Sequence, residues 1–223
     1  MTHSPEPLPV TVLVVAKAPV PGLAKTRLAA TLGDEVAADI AAAALLDTLD
    51  AVAQTPVGAR VVAMTGDLDR ACRGAEIRER LGSFTVIGQR GDDFADRLAN
   101  AHADAALCGQ PVLQIGMDTP QVSAEQLTDC ARTLLTTPAL LGMACDGGWW
   151  VLGVADAATA ECLREVPMSQ DDTGAVTLAA LRGTGISVKL VEELLDVDTV
   201  DDIPLVRAAC RPKSRFAHVT REV

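Results

Sequence analysis

The sequence contains no tyrosine, three phenylalanines, two tryptophans and three histidines in 223 residues. His3 and His218 lie near the chain ends, so His102 is the one histidine in the body of the sequence. A histidine-ligated zinc centre or a Ser-His-Asp triad has almost no raw material here. Six cysteines, at 72, 108, 130, 145, 162 and 210, form no CxxC pair, in a chain too large to need disulfide staples. They read as reduced, mostly buried small hydrophobes.

Basic residues are also scarce. Nineteen Lys and Arg stand against 30 Asp and Glu, for a net charge of -11, and such a field repels polyanions. General binding of nucleic acid is not expected. No apolar run approaches the roughly 20 residues needed to span a bilayer. The first nine residues have neither the basic start nor the apolar stretch of a secretion signal. The reading is a cytoplasmic protein with no membrane partner.

What is present suits a packed globular chain: 49% hydrophobic residues and a mean hydropathy of +0.24. Val10 to Ala16 is an uncharged, β-branched run, the pattern of a central parallel strand buried on both faces. Further strands are predicted at 60–64, 84–87, 111–116, 140–144, 149–154 and 186–190. Helices are predicted at about 34–53, 68–80, 94–107, 155–164 and 175–181, with one more opened by a Ser123/Gln126 capping box and a last one after residue 203. This alternation predicts an α/β protein, a three-layer α/β/α sandwich around a mostly parallel, Rossmann-like sheet. One domain over 10–210 is expected, between a flexible N-terminal tail at 1–9 and a frayed tail at 211–223. That second tail carries a net charge of +3.

In such sheets ligands sit at the carboxyl ends of strands, where the strand order reverses. Three polar segments follow predicted strand ends. The first, Lys17 to Leu28, contains Gly22, Lys25 and Arg27 and leads toward a helix. Its three cations suit a polyphosphate, or are solvated surface charges. It is neither a Walker loop nor a GxGxxG fingerprint. The second, Gly116-Met117-Asp118-Thr119-Pro120, puts a carboxylate at a strand end, where it can hold Mg²⁺ or cap the next turn. The third, Asp146-Gly147-Gly148-Trp149-Trp150, sets a flexible turn beside the only tryptophans, either a core pair or a substrate wall.

Two more segments carry chemistry. Asp196-Val197-Asp198 directs two carboxylates to one side of an extended chain, toward a cation or as caps of the following helix. Gln89 is placed to hydrogen-bond a base or sugar, and Arg97 either to pair with Asp92 and Asp93 or to reach phosphates.

Together the motifs Ala16-Lys17-x-Pro19-x-Pro21-Gly22-x-x-Lys25-Thr26-Arg27-Leu28, Gly116-x-Asp118-x-Pro120, Asp146-Gly147-Gly148-Trp149-Trp150 and Asp196-Val197-Asp198-Thr199 resemble the bacterial DUF2064 family. That family is described as glycosyltransferase-like, within the nucleotide-diphospho-sugar transferase superfamily of GT-A fold. The first loop and the Asp-Val-Asp-Thr ending are also similar to phospholactate guanylyltransferases.

The resemblance implies a Mg²⁺- or Mn²⁺-dependent transferase acting on a nucleoside triphosphate or nucleotide-sugar and a small-molecule acceptor, with a homodimer among the expected assemblies. Asp118 and Asp198, with Asp196 as a further candidate, would bind the metal. Lys25, Asp118 and Asp198 would be the catalytic set. Lys17, Gly22, Lys25, Arg27, Gln89 and Arg97 would contact the nucleotide, and Asp146, Gly147, Gly148 and Trp149 the second substrate. Two departures stand out. The first loop is proline-rich where sugar nucleotidyltransferases have Gly-Gly, and Gly116 breaks the Asp-x-Asp of glycosyltransferases, leaving a lone Asp118. The alternative from another class is a nucleotide-binding protein without turnover, against which the intact set of Lys25, Arg27, Asp118 and Asp198 argues.

Overall fold

The computed structural model describes residues 6–106 and 109–223. Strand β1 (Leu8–Lys17) is its axis. Val10 through Ala16 are buried, and the strand pairs in parallel with β2 (Val57–Thr65) on one side and β4 (Val112–Ile115) on the other. With β3 (Thr85–Gly88), β5 (Ala139–Met143), β6 (Trp149–Val154) and β7 (Val188–Leu190), the sheet runs β3-β2-β1-β4-β6-β5-β7. Only β6 is antiparallel to its neighbours, β4 and β5. The cause is chain length: the short turn between β5 and β6 can close a hairpin, whereas a parallel return needs a crossover.

The two-residue period of β1 builds both apolar layers. Val10, Val12, Val14 and Ala16 face α2 (Asp34–Gln54), α3 (Gly74–Leu81) and α5 (Ala124–Leu134). Leu13 and Val15 face α4 (Phe94–Ala105), a 3₁₀ helix (Ala157–Glu165) and α6 (Thr173–Gly183). Helix α2 is buried on two sides. Its Leu45, Leu46 and Leu49 meet the sheet, while Ala37, Ile40 and Ala44 meet a third cluster built with α1 (Thr26–Leu32), α7 (Asp202–Ala209) and α8 (Arg215–Val219). Its many alanines let packed elements approach on both sides. The expected capping box opens α5, with Ser123 Oγ accepting from the Gln126 amide at 3.1 Å.

The helix predicted at 68–80 starts only at Gly74, because 68–73 forms turns that end in a left-handed Arg73. The predicted helix at 155–164 is 3₁₀, and Gly33, at φ 85°, separates α1 from α2. Among the described cysteines all are free, and Cys145 is exposed. Cys108, His3, Leu107 and the first five residues of the expected N-terminal tail lie outside the described residues. Leu8 and Pro9 belong to β1, with the Leu8 amide donating to the Pro56 carbonyl at 2.8 Å. Among the described residues no helix is long and apolar enough to cross a membrane.

The C-terminal segment corrects the expectation of a frayed tail. Phe216 is fully buried against α2 and α7, and its amide donates to Asp47 at 2.8 Å. The Arg215 guanidinium reaches Asp50 at 2.6 Å and Glu76 at 2.7 Å. A basic tail on an acidic body finds partners, and one phenylalanine supplies the apolar anchor. Phe216→Ala is expected to cost about 3–5 kcal/mol of stability by urea unfolding. A loss below about 1 kcal/mol would show that the tail is not integrated in the fold.

Candidate active site

The strand order reverses between β1 and β4, so their carboxyl ends diverge into a crevice. Lys17 ends β1, with its amide 3.2 Å from Met117 Sδ in the segment that leaves β4 for Asp118. The proline-rich loop folds back from β1 to Lys25, whose left-handed backbone (φ 47°) opens α1 and turns the side chain inward. Lys25 Nζ lies 2.7 Å from Asp118 Oδ2 and 3.7 Å from Asp198 Oδ1, with a side chain only 13% exposed. Arg27, exposed, pairs with the other oxygen of Asp198.

Asp198 is fixed by its neighbours. Val197 is buried and its amide donates to the Asp118 carbonyl at 3.3 Å, which lays this segment beside the end of β4. The Asp202 carboxylate accepts from the amides of Asp198 at 3.0 Å and Thr199 at 2.6 Å. Asp196 and Asp198 then both face the crevice, as the period of two predicts.

Charge is crowded at this edge. Burial, together with repulsion from Asp118 and Asp146, pushes the Asp196 carboxyl up to about 7, and its Oδ1 is buried without a partner. Burial pulls the Lys25 ammonium down, but Asp118, Asp198 and Asp196 outweigh it and raise its pKa. The ammonium stays charged because the acids around it need a cation.

The crevice opens into a cavity of about 690 Å³ that contains Arg27, Asp118, Asp146, Asp196 and Asp198 at its edge. A smaller cavity of about 290 Å³ adjoins it around Lys25. Lys17 lines both, but its Nζ also braces its own loop on the Leu23 carbonyl at 2.8 Å. Gln89 lines the large cavity with its amide nitrogen donating to the Ala16 and Ala63 carbonyls at 2.8 and 2.9 Å. Gly22, at φ 75°, makes a turn near Asp34 and lines neither cavity. Arg97 lines the cavity over the Phe94 ring and pairs with neither Asp92 nor Asp93, since Asp93 caps α4.

The Asp-Gly-Gly turn is an interlock as well as a wall. Asp146 Oδ1 accepts from the Gly148 amide at 2.8 Å, and the Gly147 carbonyl accepts from Gly174 at the start of α6, also at 2.8 Å. A Cβ on Gly147, at φ 90°, would overlap the Asp171 carbonyl. The tryptophans divide. Trp150 is buried and donates to the Glu192 carbonyl at 2.8 Å, while Trp149 faces the cavity.

Among the described residues, no three His, Cys, Asp or Glu side chains converge on a ready-made metal centre. The donor chemistry nevertheless fits a hard divalent cation. Asp118, Asp196 and Asp198 offer only carboxylate oxygens, one of them buried and unpartnered. In this state Lys25 and Arg27 supply the positive charge these acids require.

Sequence reasoning missed the floor and one wall of the cavity. Gln114 lies in the middle of β4, 2% exposed, and the loop from Met168 to Asp171 forms part of the lining together with α4. The signal for Gln114 was visible, since it is the one polar residue in the run Val112-Leu113-Gln114-Ile115. The loop, a connection between two helices, carries no pattern that foretells its position.

The model of the DUF2064 family, described as an uncharacterized protein conserved in bacteria, matches residues 48–170. No protein of curated function matches the sequence. A solved structure from Desulfovibrio desulfuricans G20, a candidate nucleotide-diphospho-sugar transferase, is 25% identical, covering 96% of this chain and 94% of its own with a TM-score of 0.84. Rv0371c from Mycobacterium tuberculosis H37Rv, solved in complex with manganese, is 19% identical over 88% of this chain and 97% of its own, at a TM-score of 0.54. CMP:2-keto-3-deoxy-manno-octonic acid synthetase in complex with CTP is 12% identical over 89% and 97%, at 0.57. The fold is that of the nucleotide-diphospho-sugar transferase superfamily.

Behind the cavity floor, His102 on α4 is fully buried beside Gln114, without a well-aligned hydrogen bond on either ring nitrogen. Burial pushes its pKa down from 6.5 to about 4. The unfolded chain therefore takes a proton near pH 6.5 that the folded chain refuses until about pH 4. The associated stability is intact above pH 6.5 and is lost as pH falls through that window, by about 3 kcal/mol in total. Urea titrations between pH 4 and 8 should show a flatter pH slope for His102→Leu than for the wild type, whereas parallel slopes would mean that the imidazole titrates normally in the fold.

Proposed function

Since the chain belongs to the DUF2064 family, we propose that it is a transferase that acts on a nucleotide with a divalent metal, moving a nucleotidyl group from a nucleoside triphosphate to a small acceptor. The observation that carries this reading is Lys25 held between Asp118 and Asp198 at the point where the strand order reverses. Two carboxylates from distant parts of the chain, bridged by a cation from a loop, are arranged to exchange partners. Asp118 and Asp198 would hold a metal, and Lys25 and Arg27 would then meet phosphate. Likeness to the CTP complex and to the manganese complex supports a nucleotide and a divalent ion as ligands.

When bound, Mg²⁺ or Mn²⁺ neutralises phosphate charge and polarises the phosphorus. Asp118 and Asp198, with Asp196 beside them, would hold it. An acceptor oxygen attacks the α-phosphorus, the bond to the bridging oxygen breaks, and pyrophosphate leaves. Lys25, with its low exposure and fixed stem, counters charge that grows on the leaving phosphates, which costs less reorganisation than water would require. Arg27, being exposed, attracts and orients the incoming polyphosphate. Among the described residues, the serine that lines the cavity, Ser169, is hydrogen-bonded to no base, and no cysteine lines it, so direct in-line transfer is the simplest chemistry.

Glycosyl transfer from a nucleotide-diphospho-sugar is the second reading, favoured by the likeness to the Desulfovibrio structure. Gly116 in place of an aspartate argues for the first. Thermal stabilisation by a panel of triphosphates and nucleotide-sugars separates them. A ligand at 100 times its Kd should add about 2.7 kcal/mol.

Asp118→Asn and Asp198→Asn should each lower turnover by on the order of a hundredfold or more and abolish the enhancement of nucleotide binding by Mg²⁺. Calorimetric titration of nucleotide with and without Mg²⁺ checks this. The same metal dependence in wild type and both variants would leave these residues as turn and helix caps.

A further inference from the structure

Arg97 stands apart from the other charges of the site. It is half-buried, its guanidinium lies 5.7 Å from the centre of the Phe94 ring, and its Nε is buried with no hydrogen-bond partner. Of the acids close in sequence, Asp93 and Asp96 are engaged elsewhere, and the exposed Asp92 forms no pair with Arg97. Asp93 caps α4 through the Asp96 amide at 2.8 Å, and Asp96 pairs with Arg164 at 2.8 Å. In a chain with 30 acids to 19 bases, a half-buried arginine with no carboxylate partner among the described residues leaves a charge unanswered.

The second unanswered group is Gln114. It is 2% exposed, lines the same cavity, and its Oε1 has no donor. An amide oxygen left so needs an N–H or O–H donor, and the His102 ring beside it supplies no well-aligned one. His102 behind it is kept neutral by burial, so it adds no charge at this end. Trp149 and Met168 complete the walls. Gln114 is four residues before Asp118, which puts the two backbones at most about 13 Å apart. A small molecule can therefore touch Gln114 and Arg97 with one end and present its other end at the acidic edge.

We infer that the part of the cavity between α4 and the 168–171 loop binds the second substrate, a small hydroxylated anion whose carboxylate or phosphate group is held by Arg97 and whose hydroxyl donates to Gln114 Oε1. The planar fork of Arg97, held over Phe94, fits either oxyanion in a bidentate manner. Arg97 and Gln114 then set specificity at a distance from the reacting phosphorus. The inference rests on the transferase reading for the role of second substrate, though not for the binding itself.

The test titrates the apo protein by calorimetry with glycerol 3-phosphate, glycerate, ethyl phosphate and glycerol, with CTP plus Mg²⁺ run in parallel. The two hydroxylated anions should bind the wild type and glycerol should not. The stronger of the two identifies phosphate or carboxylate as the natural group. Arg97→Gln should weaken both at least tenfold, and Arg97→Lys, which keeps the charge without the fork, should fall between. Gln114→Leu should weaken glycerol 3-phosphate several-fold and leave ethyl phosphate unchanged, because only the former offers the hydroxyl. Melting temperatures of the variants report whether they fold. Absence of binding by both anions to the wild type, equal binding by Arg97→Gln, or equal losses for the two phosphates in Gln114→Leu would overturn the inference. Failure of every triphosphate and nucleotide-sugar of the panel above, with anion binding that depends on Arg97, would instead remove the transferase reading and leave an anion site.

Discussion

The ammonium of Lys25 is the interaction on which the site depends. Without it Asp118 and Asp198 would face each other across the crevice, beside an Asp196 already pushed up to about 7 by burial and by its acidic neighbours. Three segments far apart in sequence converge there: the loop after β1, the end of β4 and the stretch before α7. Each is placed by apolar packing. Val197 is buried in the α1–α2–α7 cluster and β4 is buried along its whole length, so the carboxylates are carried to the crevice by neighbours that have no choice of position. On the proposed reading a lysine does better here than an arginine would, because a compact ammonium could pass from carboxylate to phosphate within a small space.

A second constraint is steric. The Asp146-Gly147-Gly148 turn has to pass under the start of α6, and side chains on Gly147 or Gly174 would collide with backbone. These glycines thus connect the β5–β6 hairpin to the loop from Met168 to Asp171, which is a cavity wall. A sequence reading sees a flexible turn next to an acid and infers substrate contact. The structure adds that the glycines are required before any substrate arrives, and that Trp149 and Trp150 serve opposite faces for the reason all strand neighbours do.

Much of the fold was legible because it follows from periodicity. The apolar run of β1, the helix–strand alternation and the capping box of α5 all reappear with small shifts of boundary. The parts that were not legible depend on contacts between distant residues. The tail at 211–223 looks frayed by charge and length, yet Phe216 finds a pocket on α2 and Arg215 finds Asp50 and Glu76. The helix after residue 68 fails to form until Gly74, where the chain has first turned against the proline-rich loop through the Cys72 amide and the Pro19 carbonyl. At the site, the charged residues were visible as charges at strand ends. Gln114 was visible only as the one polar residue of an apolar strand, and such an amide signals a cavity only once the helix opposite it is known to leave a gap.

The proposed function asks an acidic protein to accept a polyanion, and charge balance bears on how it could. The large cavity carries six aspartates, at 118, 146, 171, 196, 198 and 202, against Lys17, Arg27 and Arg97. A bare polyphosphate entering that field meets more repulsion than attraction, since the cations nearest the crevice are already held by Asp118 and Asp198. On the proposed reading, a polyphosphate that arrives with a divalent ion would meet the reverse. Asp118, Asp196 and Asp198 would hold the ion, which would free Lys25 and Arg27 for the phosphates. The acidic edge would then act as a selector for the metal-bound form of the nucleotide. Selectivity of this kind needs no contact with the base, which is why it can be built from a lysine, an arginine and three aspartates on the proline-rich loop, the end of β4 and the segment before α7.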